Sequence, residues 1–231
     1  MRILGIDTAT PQSSVALLEN NTISRETILN PPSQFSNRVL QQVDEVLKGA
    51  GVDLHSVDLF VVTRGPGSFT GLRVGMSLLK GMGLVTGKPV VGIDTLEAVA
   101  ATAGESGHPI CPVLDARKKE IYTAFFRREA GRLTRISPDT AVSPECFIEH
   151  VVEPTLFVGF GLTVYGDWLA RRLGDLYLTE TNRPRPSVAA CAARLALDRQ
   201  ERAGSDFFEE EGSIHYLRKP EAEINYLKNR Q

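Results

Sequence analysis

The feature that most constrains this chain is a unit of secondary structure that occurs twice. Residues 2–7 read as a strand ending in Asp7, and Val15–Leu18 and Thr22–Leu29 as two more. Short polar turns at Thr8–Ser14 and Glu19–Asn21 join them into a meander. Phe35, Val39, Val43, Val46 and Leu47 then recur at intervals of three and four, which predicts an amphipathic helix over 34–48. Gly49 and Gly51 close it. Next come a buried strand near 58–63, the turn Gly65-Pro66-Gly67 and a helix over 70–86 capped by Ser68 or Thr70. A short strand, Val90–Gly92, and an alanine-rich helix over 95–104 capped by Asp94 or Thr95 complete the order βββαβαβα.

The order then restarts. Ile110–Leu114 is a strand running into Asp115, followed by strands at Glu120–Arg127 and Arg132–Ile136. A helix opens at Ser143 or Pro144 and runs to 150. Leu156–Val158 is a strand, 162–173 a helix, Asp175–Leu178 a strand, and Ser187 caps a helix to Ala203. Each half ends its first strand at an aspartate, and each places Gly-x-Gly after its fourth, the second copy being Gly159-Phe160-Gly161. Two such units imply a pair of ribonuclease-H-like domains, 1–104 and 105–231, facing each other across a cleft. This is the α/β architecture of the actin, sugar kinase and Hsp70 superfamily, with the second domain reduced. The tail from 204 is polar, and 220–229 reads as a last helix.

Bulk properties exclude several classes. A net charge of −2 gives no global attraction to nucleic acid or to an anionic membrane. Cys111, Cys146 and Cys191 are too few and too far apart for a disulfide framework, which points to a reducing compartment. The most apolar run, 74–87, contains Lys80 and four glycines, so no membrane span is expected and the predicted location is cytoplasmic.

The residues that could carry chemistry are few. Asp7 and Asp115 suit either magnesium in a nucleotide cleft or the capping of the turns that follow them. The first hairpin lacks the glycines that grip phosphate in a kinase of this fold. Gly65-Pro66-Gly67 lacks the lysine of a P-loop. Ser68, Thr70 and Arg73 remain, with Asp7, as the candidate contacts for a nucleotide or phosphate. His55, His108, His150 and His215 include no pair at metal-ligand spacing, so no metal site is expected. No catalytic residue is expected either: Ser68 has no histidine near it in sequence and no oxyanion motif. Arg117, Lys118, Lys119, Arg127, Arg128, Arg132 and Arg135 make the second hairpin the most basic stretch, either an RNA contact or a strand edge defended by charge.

The helix over 70–86 is apolar on two sides. Leu72, Met76, Leu79 and Met82-Gly83 make one, and Val74, Leu78, Gly81 and Val85 the other. A surface helix needs one apolar stripe, so one side lies on the sheet and the other awaits a second surface. The expected partner-binding set is Val39, Val43, Leu72, Gly75, Met76, Leu79, Met82 and Gly83.

The stretch Thr63–Gly75, TRGPGSFTGLRVG, resembles the signature of the bacterial TsaB (YeaZ) family. So do Gly5-Ile6-Asp7-Thr8, Asp115-Ala116-Arg117 with Glu120-Ile121-Tyr122, and Tyr216-Leu217-Arg218 with Ala222-Glu223. The resemblance departs at Ile214, where a proline is frequent, and at Phe35-Ser36, where a histidine is. It implies a role in forming threonylcarbamoyladenosine beside the anticodon of tRNAs that read codons starting with A. It implies a non-catalytic partner of a TsaD-like paralogue, with a TsaE-like ATPase joining them and tRNA reached through the complex. It further implies a homodimer when the chain is alone, and ATP and metal on the partner subunits rather than on this one. The competing expectations are an ATP-dependent small-molecule kinase of the same superfamily and a peptidase acting on its paralogue.

Overall fold

Alternation along the first strands sorts their side chains to two faces. In the computed structural model, which describes residues 1–29, 35–180, 185–203 and 213–218, β1 (Arg2–Asp7), β2 (Ser14–Glu19), β3 (Thr22–Ile28), β4 (Leu59–Thr63) and β5 (Val90–Ile93) form one sheet in the order β3-β2-β1-β4-β5. The meander pairs antiparallel, while β4 joins β1 and β5 joins β4 in parallel. Leu4, Ile6, Phe60 and Val62 point to one face, under the helices α1 (Phe35–Ala50) and α2 (Phe69–Thr86). Ile3, Leu59, Val61 and Val91 point to the other, where α3 (Thr95–Ala101) lies. Parallel crossovers put helices on both faces, which is why β4 is buried throughout and apolar up to Thr63 rather than alternating.

The second sheet repeats the order. β10 (Thr140–Val142), β7 (Ile121–Thr123), β6 (Ile110–Asp115), β11 (Thr155–Val158) and β12 (Tyr177–Leu178) lie side by side, with the same antiparallel and parallel pairings. Two expectations are corrected here. The single strand expected over 120–127 is two, because β7 pairs with the end of β6 while Phe126 of β8 (Phe126–Glu129) pairs with Ile110 at its start. The strand expected near 132–136, β9 (Arg132–Arg135), pairs only with β8, and the three-residue β10 takes the edge position instead. The short helix α4 (Pro144–Phe147), capped by Ser143, and α5 (Leu162–Leu173) flank a core of Cys111, Val113, Phe147, Phe157 and Leu169.

The last helix, α6 (Val188–Ala203), begins at the expected cap, with the Ser187 hydroxyl accepting from the Ala190 amide. It packs on β1, β2, β4 and α3, so the segment 188–203 belongs with the first sheet although it lies within 105–231. Its buried side is nearly all alanine, from Ala189 to Ala196, and the absence of bulk lets it approach the sheet closely. The largest core therefore lies between the two repeats and is shared by both: Ile3, Val61 and Ile93 from one, Ile110, Phe126 and Val158 from the other. Polar links cross the same boundary. Asp94 accepts from Arg64 at 2.8 Å and from Arg135 at 3.1 Å. Burial pushes the Asp94 carboxyl up, but the hydrogen bond and charge of Arg64, and then the charge of Arg135, outweigh it and hold the group below its ordinary range. The helix expected at 220–229 lies outside the described residues.

Candidate functional site

The glycine turn is the crossroads of the fold, and its polar groups are committed to the chain itself. The Gly65 amide donates to the Thr95 hydroxyl at 3.0 Å, and the Gly65 carbonyl accepts from the Thr95 amide at 2.8 Å. The Ser68 amide donates to the Ala9 carbonyl at 2.9 Å. The Ser68 hydroxyl caps α2, accepting from the Gly71 amide at 3.2 Å, so Ser68, not Thr70, is the cap. The Thr8 hydroxyl donates to the Gly71 carbonyl at 2.7 Å. The start of α2 is thus stitched to the first hairpin, and Gly75 makes the approach possible. A Cβ there would lie under 3.0 Å from the Thr8 hydroxyl oxygen.

Asp7 sits beneath this contact, wholly buried. Its Oδ1 accepts from the Ala9 amide at 3.0 Å and from the Thr63 hydroxyl at 2.7 Å, and its Oδ2 accepts from the Thr10 hydroxyl. Burial pushes its carboxyl up, with the hydrogen bonds from Thr10, Thr63 and Ala9 acting in the other direction. Asp115 repeats the local geometry, accepting from the Arg117 amide at 2.8 Å. Both aspartates therefore cap the turns that follow their strands. A magnesium ion carrying a nucleotide would have to displace the Thr10 and Thr63 hydroxyls to reach Asp7, so the residues present do not fit that group. A cavity of about 230 Å³ lies beside the first hairpin, lined by Gln12, Phe160, Thr163 and Arg185 among others.

Of the other candidate phosphate contacts, Thr70 and Ser68 are exposed. Arg73 is engaged: its guanidinium lies 3.9 Å from the centre of the Phe69 ring, and its Nε donates to the Tyr216 hydroxyl at 3.2 Å. Tyr216 belongs to a segment, 213–218, that runs across the glycine turn. The His215 amide donates to the Arg64 carbonyl at 2.7 Å, and the Tyr216 and Phe69 rings meet at 5.2 Å. Gly65, at φ +121°, has no room for a side chain because the His215 carbonyl fills that space. The same segment reaches the second repeat, where Arg218 pairs with Glu120 at 2.9 Å and His215 approaches Asp139 at 3.6 Å. This strap was not foreseen from the sequence. The aromatic and basic residues at 215–218 were its only signal.

The residues of the expected partner-binding set lie on the sheet side of their helices. Val39, Val43, Leu72, Gly75, Met76, Leu79, Met82 and Gly83 are all buried within this chain. They form the side of α1 and α2 that lies on the first sheet, with Val15, Leu17 and Phe60. The opposite side of α2 is the open one. Leu84 is 86% and Val85 71% exposed, Val74 and Leu78 are half-buried, and a Cβ on Gly81 would meet nothing within 4 Å. On the adjoining α1, Leu40 is 52% exposed. Two consecutive large apolar side chains this open to water are an uncovered surface rather than scattered exposure.

All four histidines are exposed, and among the described residues no group of three or more histidine, cysteine or acidic side chains could hold a metal. The long basic stretch of the second hairpin is also dispersed. Arg127 pairs with Glu153 at 2.7 Å, Arg128 donates to the Ala103 and Gly131 carbonyls, and Arg135 pairs with Asp94 and Asp139. Only Arg117, Lys118 and Lys119 stand together at an exposed tip. No helix among the described residues is long and apolar enough to cross a membrane.

The chain matches the family model for tRNA N6-adenosine threonylcarbamoyltransferase (TsaD) over residues 17–226. It is 33% identical over 173 residues to the tRNA threonylcarbamoyladenosine biosynthesis protein TsaB of Escherichia coli, covering 74% of this chain and 73% of the relative. Among solved structures, YeaZ from Pseudomonas aeruginosa is 25% identical with a TM-score of 0.76, covering 94% of this chain and 99% of that one. An ADPNP-bound activator of 2-hydroxyisocaproyl-CoA dehydratase from Clostridium difficile, 12% identical with a TM-score of 0.51 over 89% of this chain and 98% of that one, shares the fold.

Proposed function

Because the chain belongs to the TsaB family of tRNA threonylcarbamoyladenosine biosynthesis proteins, we propose that it is the non-catalytic partner and activator of a TsaD-type threonylcarbamoyltransferase. The observation that carries this reading is the uncovered outer face of α2, with Leu84 and Val85 exposed in its last turn. That face is the docking surface for the paralogue, and α1 contributes Leu40 beside it. Without the paralogue the same face pairs with a second copy of this chain. The transfer, its metal and its ATP belong to the partner subunits, including a TsaE-like ATPase, and tRNA is engaged by the assembled complex. The modified tRNAs are those reading codons that start with A.

The closed environment of Asp7 supports the non-catalytic half of the reading and weighs against a kinase. Its three hydrogen-bond donors, from Ala9, Thr10 and Thr63, occupy the place a cation would take. A peptidase reading gains nothing from Ser68, whose hydroxyl is spent as the α2 cap.

The test is reconstitution of the modification from purified components with and without this chain. Modification that needs the chain, together with no turnover by the chain alone, is the expected result. Full modification in its absence, or turnover by the chain by itself, overturns the proposal.

A further inference from the structure

The strap at 213–218 ties the two repeats together through groups that have other partners of their own. It contains no helix or strand, and its His215 amide donates to the Arg64 carbonyl. Asp139, with a side chain only 8% exposed, faces His215 but is also paired with Arg135. The Arg64 guanidinium is held by Asp94, and the Arg73 guanidinium lies over the Phe69 ring. Lifting the strap therefore leaves the nearly buried carboxylate of its seat still paired. Orphaning a buried charge is what makes many such contacts costly to break, and that cost is absent here.

The strap's own groups are open to water. His215 and Tyr216 are exposed, and the Arg218–Glu120 pair is about one-third exposed on each side. Ion pairs this exposed add little. Ile214 reaches the core of the first repeat but is only half-buried there. Segments with few buried apolar contacts open at lower cost than the core around them. When seated, the strap orders the start of α2. The Tyr216 hydroxyl accepts from Arg73 Nε at 3.2 Å, and the Tyr216 and Phe69 rings meet. Arg73, Ser77, Lys80 and Leu84 are all exposed and recur at intervals of four, three and four, so they share one stripe of α2. A protein lying along that stripe from Leu84 meets Arg73 with Tyr216 beside it. Tyrosine and arginine are the residue types that most often anchor interfaces, and holding them in place beforehand lowers the cost of ordering them.

Resting on the function proposed above, we infer that the strap is a reversible clasp: it opens ahead of the rest of the fold, and docking of the TsaD-type paralogue along α2 closes it. The closed form presents Arg73 and Tyr216 as one ordered pair on the docked stripe, and the open form does not. Coupling of this kind is reciprocal, so a chain with a weakened clasp binds the paralogue less tightly. Arg218 tests this from a distance, because its contacts, the Ala116 carbonyl and Glu120, lie in the second repeat rather than on α2.

The test is hydrogen exchange of the full chain, followed by mass spectrometry at the peptide that holds His215, with and without the TsaD-type paralogue. In the isolated chain that peptide is expected to exchange faster than β1 and β4, and the bound paralogue is expected to slow it on the order of tenfold. Arg218→Ala should speed exchange at His215 while leaving β1 and β4 unchanged, and should weaken binding of the paralogue about fivefold. Arg218→Lys, which keeps the charge, should recover part of both. A strap that exchanges as slowly as β4 in the isolated chain overturns the inference. So does exchange at His215 that the bound paralogue leaves unchanged. An Arg218→Ala chain whose strap exchanges no faster than the parent's, or one that exchanges faster yet binds the paralogue within about twofold of the parent, overturns it as well. Failure of the parent chain to bind the paralogue overturns the function proposed above, whereas binding together with any of these results overturns the clasp alone.

Discussion

Charging the outer face of α2 separates a docking surface from a core. Leu84 and Val85 are 86% and 71% exposed, so Leu84→Asp with Val85→Asp removes almost nothing from the folded chain. Surface changes of this kind alter stability by about 0.5 kcal/mol or less. If a partner covers both residues, their burial is worth about 1.5–3 kcal/mol each. Losing both then costs at least about 3 kcal/mol of binding, on the order of 100-fold in Kd, before the cost of burying two carboxylates. Met76→Glu is the contrasting change. Met76 is 5% exposed and packed in the core beneath α2, so an unpaired carboxylate there should unfold the chain. Isothermal titration with the TsaD-type paralogue and thermal melts of the isolated chain give both numbers. A double Asp variant that binds within threefold of the parent refutes the docking face. A Met76→Glu chain that melts normally refutes the assignment of sides.

Four further outcomes are expected. Gly81→Ala should stabilise the isolated chain by about 0.8–1 kcal/mol, since a Cβ there meets nothing; a destabilised melt would show that the position is covered within the chain. Burial raises the Asp7 carboxyl above its ordinary 3.8, so Asp7 favours the folded state most below that value and the benefit is lost as pH rises through the folded one. Asp7→Asn should therefore gain stability relative to the parent as pH rises, and the opposite slope in a melting series refutes this. Cys111 and Cys191 are buried with thiols pushed up to about 12, whereas Cys146 is exposed, so an aqueous thiol reagent should modify one cysteine in the native chain and three in denaturant, by mass spectrometry. Gly65→Ala should drive the His215 backbone off the turn and open the strap to proteolysis near Tyr216, and an unchanged digestion pattern counts against its seat on the glycine turn.

The fold was legible because its repeat is written in local signals: strands ending at Asp7 and Asp115, and glycine turns after β4 and β11. What was not legible depended on which surface meets which. The side of α2 that faces the sheet could not be read because both sides are apolar, and a helix without a polar face has no orientation in sequence. Leu72 and Met76 look like Leu84 and Val85 until β4 is beneath them. The split of the second repeat's strand into β7 and β8 had the same origin, since Tyr122 and Phe126 pair with opposite ends of one neighbour. Alanine in α6 says that something comes close but not which sheet. The strap is a pairing across 150 residues, His215 on Arg64, and no local pattern announces it.

These long-range contacts bear on the partner role proposed above. The scaffold keeps two similar turns, but Asp7 is sealed by Thr10 and Thr63. Among the described residues the outer face of α2 stays open, with Leu84 and Val85 exposed. The strap links the start of α2 to the second repeat. Tyr216 holds Phe69 and Arg73 at the start of α2, and two residues on, Arg218 holds Ala116 and Glu120 on either side of the basic turn. Arg64 and Arg135 also share Asp94 across the same boundary. In the role proposed above, this geometry is what the subunit contributes: a fixed placement of the α2 face relative to the second repeat.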